Sequence, residues 1–211
     1  MKKSSLKVAA YQAIKERIVN CQYRPNTFLN EASISEELGM SRTPIREALG
    51  VLEQEKLVKI YAKRGALVTD ISAAEVDDIF EVRLLVEPHI IVTHGSGIDQ
   101  RKLLDIKYQL ERQVLSGEEY NYDIDQDIHS LIIASSNNRY FETLMDNIYD
   151  QNHRLRILSG QKSGDRTVET VQEHIAIVDF LLKGEREQAS EAMRMHLIKS
   201  RTAALEGLLT P

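Results

Sequence analysis

Asp125 and His129 stand four residues apart in the stretch "DQDIHSLIIASSNN". On a helix that spacing sends both side chains out of one face. Ile128 and Ile132 adjoin that face, so it points inward. His174 shares a stripe with Ile177, Val178 and Leu181, and His196 shares one with Ala189, Ala192 and Met193. Imidazole nitrogens and a carboxylate are the donors that a divalent transition metal takes, and helices of a bundle can hold them. A second reading stands beside this one. A single histidine on an apolar face is more often a hydrogen-bonded core residue, because every buried polar group needs a partner. The spacing leaves a metal site and a polar core network both open.

A second constellation lies in "SRTPIREAL", residues 41–49, where Arg42 and Arg46 flank a proline. Ile45, Ala48, Leu49 and Leu52 follow helical spacing and must face a core, so Arg46 and Glu47 face away from it. Thr43 is the expected N-cap and Pro44 the expected first helical residue. The arginines would then sit at a helix N-terminus, whose free N–H groups and partial positive charge suit an anion. Arg83 is a third candidate, an arginine in an otherwise apolar helical segment with Glu87 four residues on. It could pair with Glu87 or hold a carboxylate ligand. Arg154 and Arg156 are weaker candidates for that role, since an exposed helix face explains them as well, and His89, His94 and His153 read as structural.

The elements that position these residues fall into two sets. "LKVAAYQAIKERIV" reads as an amphipathic helix, "QYRPNTFL" as a turn at Pro25 and Asn26, and "NEASISEELG" as a short helix closed by Gly39. The arginine-bearing helix follows. Leu57–Tyr61 and Ala66–Asp70 read as strands of a hairpin with "AKRG" at its tip, so Lys63, Arg64 and Gly65 form a basic wing. That order is a winged helix-turn-helix, three helices plus a β-hairpin, over residues 1–71. Such a helix end enters the major groove of duplex DNA, where arginine suits guanine and phosphate. From Ser72 onward the strand pattern stops. Six helical segments joined by short connections predict an all-α antiparallel bundle over residues 72–211. The fold class expected is mainly α.

Composition agrees with this division. The net charge of −5 hides an asymmetry: residues 1–70 hold 12 Lys+Arg against 8 Asp+Glu, a net of +4, which leaves 15 against 24, a net of −9, for the rest. A basic segment suits a polyanion, and the acidic remainder suits something else. Hydrophobic residues at 42% and charged residues at 28% describe a chain able to bury a core. No apolar run approaches the roughly 20 residues of a membrane span. Cys21 is the only cysteine and no apolar signal core opens the chain, so the cytoplasm is expected.

"SRTPIREAL", "LEQEKLV" and "KRGALV" resemble the DNA-binding domain of the GntR family of bacterial transcription regulators, over about residues 8–70. The resemblance implies that Arg42, Thr43, Arg46, Arg64 and Gly65 contact operator DNA. Two turns depart from the family pattern, with Asn26 and Lys56 where glycine is frequent. "DQDIHSLIIASSNN", "EHIAIVDFLLKG" and "AMRMHL" resemble the effector-binding FCD domain of the FadR subgroup, over about residues 75–207. That resemblance implies a divalent metal on Asp125, His129, His174 and His196, with zinc first and nickel or manganese open. It also implies a small carboxylate effector held with the help of Arg83, and a homodimer that reads double-stranded operator DNA. The expected function is an effector-responsive regulator, a repressor. A metal-dependent hydrolase and a pure metal sensor are the alternatives. No catalytic residue is assigned, because Glu173 is the only acid near the histidines and it neighbours His174 on one helix, where neighbours point apart.

Overall fold

The computed structural model describes residues 2–116, 121–159 and 165–209. It divides into two compact units, Met1–Ser72 and Ala73–Pro211. Among the described residues no helix is long and apolar enough to cross a membrane.

The first unit runs α1 (Lys2–Val19), β1 (Phe28–Leu29), α2 (Glu31–Glu37), α3 (Arg42–Gln54), β2 (Val58–Tyr61) and β3 (Gly65–Val68). Ala10, Ile14 and Ile18 of α1 meet Ile34 of α2 and Ile45, Ala48, Leu49 and Leu52 of α3 in one core. Each fully buried aliphatic side chain contributes about 1.5–3 kcal/mol. This apolar stripe fixes the rotation of α3 and leaves Arg42, Thr43 and Arg46 exposed. The start of α3 differs from expectation. Ser41 occupies the N-cap and makes no side-chain cap bond, while Arg42, Thr43 and Pro44 form the first turn. Pro44 tolerates the third helical position because the first four N–H groups have no intrahelical partner anyway.

The sheet has order β1-β3-β2, all antiparallel, with Tyr61 opposite Gly65 and Leu29 opposite Ala66. The expected turn forms at Pro25 and Asn26, and β1 follows it as a strand that was not expected. Gly65 has φ +99, and a Cβ there would run into the Leu29 carbonyl oxygen. Asn26 and Lys56 adopt φ of 63 and 61, so the departures from glycine keep the left-handed backbone that glycine favours.

The second unit is all helix apart from turns: α4 (Ala73–His94), a 3-10 turn (Gly95–Gly97), α5 (Gln100–Ser116), α6 (Tyr122–Ala134), α7 (Arg139–Leu158), α8 (Asp165–Lys183) and α9 (Arg186–Leu209). Asn121 and Asn138 cap α6 and α7, their side chains accepting from Asp123 N and Tyr140 N. Gly184, at φ 76, turns α8 into α9. α9 packs most extensively against α4 and α8, and α5 lies on α8. Pro88 interrupts the hydrogen-bond ladder of α4. The α9 side chains of Ser190 and Arg186 donate to the Pro88 and Val92 carbonyls at 3.1 and 2.9 Å, which ties α9 to this part of α4. Glu87 immediately precedes Pro88 and Arg83 lies one turn before Glu87, both on the buried side of α4.

Candidate metal centre and nucleic-acid interface

α6 supplies Asp125 and His129, α8 supplies His174 and α9 supplies His196, all buried. One donor atom from each lies within 4.8 Å of all the others. Ring centroids of the histidines are 4.3 to 5.4 Å apart, and His174 Nε2 is 3.4 Å from Asp125 Oδ1. The neighbouring apolar residues explain this convergence. Ile128 and Ile132 on α6, Ile177 and Val178 on α8 and Met193 and Leu197 on α9 are all buried, and they turn the polar residues into one interior.

Two carboxylates orient the imidazoles. His129 Nδ1 donates to Glu87 Oε2 at 2.6 Å, and His196 Nδ1 donates to Glu173 Oε2 at 2.9 Å. With the proton on Nδ1, Nε2 carries the lone pair. The Nε2 of His129 is buried and has no hydrogen-bond partner. A polar core network would satisfy that nitrogen, whereas a metal needs it open. The cluster therefore has the donor chemistry and the orienting carboxylates of a site that could hold a divalent metal.

Charge in the cluster is also arranged for a cation. Burial, with His196 beside it, pushes the His174 imidazole well below its usual range. Burial lowers His196 too, against the pull of Glu173. Both are thus neutral, the form that ligates. Burial alone would raise Asp125, but Arg156 and then the three histidines hold its carboxyl well below the carboxylate range. Burial would likewise raise Glu87, yet Arg83 and His129 bring it down to about 2.

A cavity of about 50 Å3 opens beside the cluster, lined by Asp125, His129 and His196 together with Arg83, Arg156, Arg166 and Asn152. At ~10–15 Å3 per water it has room for about four waters or one small ligand. Arg83 is the expected candidate, and its Nε donates to Glu87 Oε1 at 2.7 Å. Of the two readings open for Arg154 and Arg156 on α7, the exposed face does not hold. Arg154 and Arg156 are buried rather than on an exposed face, and Arg156 pairs with Asp125. Arg156 follows Met145, Tyr149 and Asn152 along one buried helical stripe, a periodicity the sequence did carry. Glu173 has an orienting role that the sequence did not show. It points away from its neighbour His174 as expected, but toward His196 of the next helix, and Arg166 grips it through two bonds of 2.8 and 2.9 Å.

In the first unit, Arg42, Arg46, Lys63, Arg64 and Gly65 line one open groove between the start of α3 and the β2–β3 turn. Thr43 is exposed in the same first turn of α3 but does not line the groove. Arg46 is 70% exposed and still held, its Nε and one terminal nitrogen donating to Glu31 at 2.9 and 2.7 Å. The Arg64 guanidinium lies 4.8 Å from the centre of the Phe28 ring. Gly65 owes its presence to its backbone, since its φ and the closeness of Leu29 admit no side chain.

Comparison with known proteins adds to this geometry. The family described as bacterial regulatory proteins, gntR family, matches residues 6–68, and the FCD domain matches residues 78–199. The HTH-type transcriptional regulator YdhC of Bacillus subtilis is 30% identical over 192 residues, covering 88% of this chain and 85% of its own length. The HTH-type transcriptional repressor RspR of Escherichia coli is 25% identical over 191 residues, covering 89% and 83%. Among solved structures, a GntR transcriptional regulator from Rhodococcus sp. RHA1 superposes with a TM-score of 0.77 at 19% identity, over 96% of this chain and 98% of that one. The Zn2+-bound FCD domain of TM0439 superposes with a TM-score of 0.58 at 22% identity, over 67% of this chain and 99% of that one.

Proposed function

Because the chain belongs to the GntR family of bacterial regulatory proteins and carries an FCD domain, a DNA-binding transcription regulator and not an enzyme, we propose that it is a repressor whose operator affinity is set by a small organic acid bound next to a divalent metal. Arg42, Thr43 and Arg46 read the major groove from the start of α3. Lys63 and Arg64 reach the backbone or minor groove from the wing, and Gly65 lets the wing approach β1. Two copies of the chain, paired through their helical units, face a two-fold symmetric operator in the cytoplasm.

Asp125, His129, His174 and His196 hold the metal. Zinc is the first choice, supported by the zinc-bound state of the TM0439 domain. Nickel and manganese share the same donors. When bound, such an ion supplies a Lewis acid that attracts a carboxylate oxygen. Arg83 and Arg156 supply the cationic wall against which that carboxylate is oriented. The observation that carries this reading is the buried four-donor cluster opening onto a cavity lined by arginines. A repressor needs an effector that prefers one state of the protein over the other, since an acid binding both equally would shift nothing.

The test is a set of gel-shift titrations on the promoter DNA of the chain's own operon, with zinc-loaded and chelator-treated protein and a panel of small carboxylates. One class of acid should lower operator affinity, and His174→Ala should abolish that response while leaving acid-free DNA binding intact. Loss of DNA binding in Arg42→Ala/Arg46→Ala with the helical unit still folded assigns the interface. A response to metal with no response to any acid would favour a metal sensor instead.

A further inference from the structure

Glu87 joins Arg83 to the histidine cluster. Its Oε1 accepts from Arg83 Nε at 2.7 Å and its Oε2 accepts from His129 Nδ1 at 2.6 Å. The side chain is wholly buried, and those of Arg83 and His129 are nearly so. Arg83 and His129 line the cavity and Glu87 does not. Glu87 therefore reaches a ligand or an ion through its neighbours, and Arg83 and His129 are the two that line the cavity.

We propose that Glu87 is a positioning residue that couples the two occupants of the site, so that a carboxylate on Arg83 tightens the metal on His129 and the metal tightens the carboxylate. This rests on the metal reading above. One negative charge is shared between a guanidinium and an imidazole N–H. When a ligand carboxylate approaches Arg83, the guanidinium turns part of its attraction to the newcomer. The charge of Glu87 then falls more fully on His129 Nδ1–H, which makes Nε2 the stronger donor. Coupling between binding sites is reciprocal, so the effect runs equally in the other direction.

The amide of Glu87→Gln separates this from a packing role. Gln offers one acceptor oxygen and one donor NH2, but both Arg83 and His129 present N–H groups to it. If the oxygen serves Arg83, the NH2 faces His129, and the imidazole must carry its proton on Nε2. That is the nitrogen a metal requires. Zinc affinity of the full chain, measured by competition with a chromophoric chelator, should fall about 10–100-fold. Arg83 meanwhile loses its counter-ion, so acetate should bind the zinc-free variant several-fold tighter than wild type in ligand-observed NMR. Opposite shifts for the two ligands are the expected signature, and general damage to the fold would weaken both.

Arg83→Met gives the mirror image and decides the matter even if Glu87→Gln does not fold. Glu87 is then no longer shared with a guanidinium, so zinc should bind several-fold tighter than in wild type while acetate binding weakens several-fold. Unchanged or weaker zinc binding in Arg83→Met, or full zinc affinity in Glu87→Gln, overturns the coupling. Failure of the wild-type chain to take up one zinc is a different result, which removes the metal reading itself and this coupling with it.

Discussion

Two positions in the first unit share a left-handed backbone and carry opposite side chains. Gly65 has φ +99 with the Leu29 carbonyl against it, and Lys56 has φ 61 in an exposed turn. Gly65→Ala should therefore cost about 1–3 kcal/mol through strain at a position that only glycine fits. Lys56→Gly should stabilise by about 1 kcal/mol or less, because left-handed strain of ~1–2 kcal/mol is relieved and some unfolded-state entropy is added. Thermal denaturation of the two variants should shift in opposite directions. Glu31 gives a pH prediction. The hydrogen bond from Arg46 holds its carboxyl below the ordinary value of 4.5. A carboxyl lowered in the folded state contributes stability above its unfolded value, and that contribution is lost as pH falls through the folded value. NMR titration of Glu31 should therefore show a midpoint below 4.5 that returns toward it in Arg46→Ala.

At the scale of elements, α6 is placed by apolar contacts and not by its polar residues. Ile128 is fully buried next to His129, so Ile128→Ala should lower stability by about 2–5 kcal/mol. Calorimetry would measure that loss. Zinc affinity should fall much less than in His129→Ala, because the donor remains. Apolar periodicity made most of this architecture readable. The stripe Ile45–Ala48–Leu49–Leu52 fixed the outward face of α3, and the i, i+4 pair on α6 announced the cluster. What stayed hidden had a physical cause in each case. β1 is only Phe28–Leu29, too short to show any alternation. The arginines of α7 look like surface residues because charge normally stays in water, and the burial of Arg156 rests on a partner on another helix, Asp125 of α6. Glu87 and Glu173 acquired their roles from helices distant in sequence, which spacing along one helix cannot reveal.

The sequence divides its charge between the two units, and Arg42, Arg46, Lys63 and Arg64 of the first unit lie along one groove. If that groove meets phosphates, operator affinity should fall steeply with salt, and each lost phosphate contact should reduce the log–log slope by ~0.9. Fluorescence anisotropy across a salt series should show a shallower slope for Lys63→Ala/Arg64→Ala, with operator preference over random DNA retained. Arg42→Ala should instead erode the preference itself, by about 1–3 kcal/mol if it makes a bidentate base contact. Equal effects of the two sets of substitutions on slope and on preference would refute the division between wing and helix.

The candidate ligands begin at Asp125 and end at His196, fifteen residues before the last residue of the chain, Pro211. If the cluster holds an ion, that ion is a clasp joining α6 to α8 and α9 and closing a long stretch of polypeptide. Chain closure of that kind restricts the unfolded ensemble more than it alters the folded one. Stripping the ion should let α9 fray first and expose the C-terminal third to trypsin at Arg194, Lys199 and Arg201. Were the metal reading to hold, scarcity of the metal would thus be read as a shortened lifetime of the protein itself.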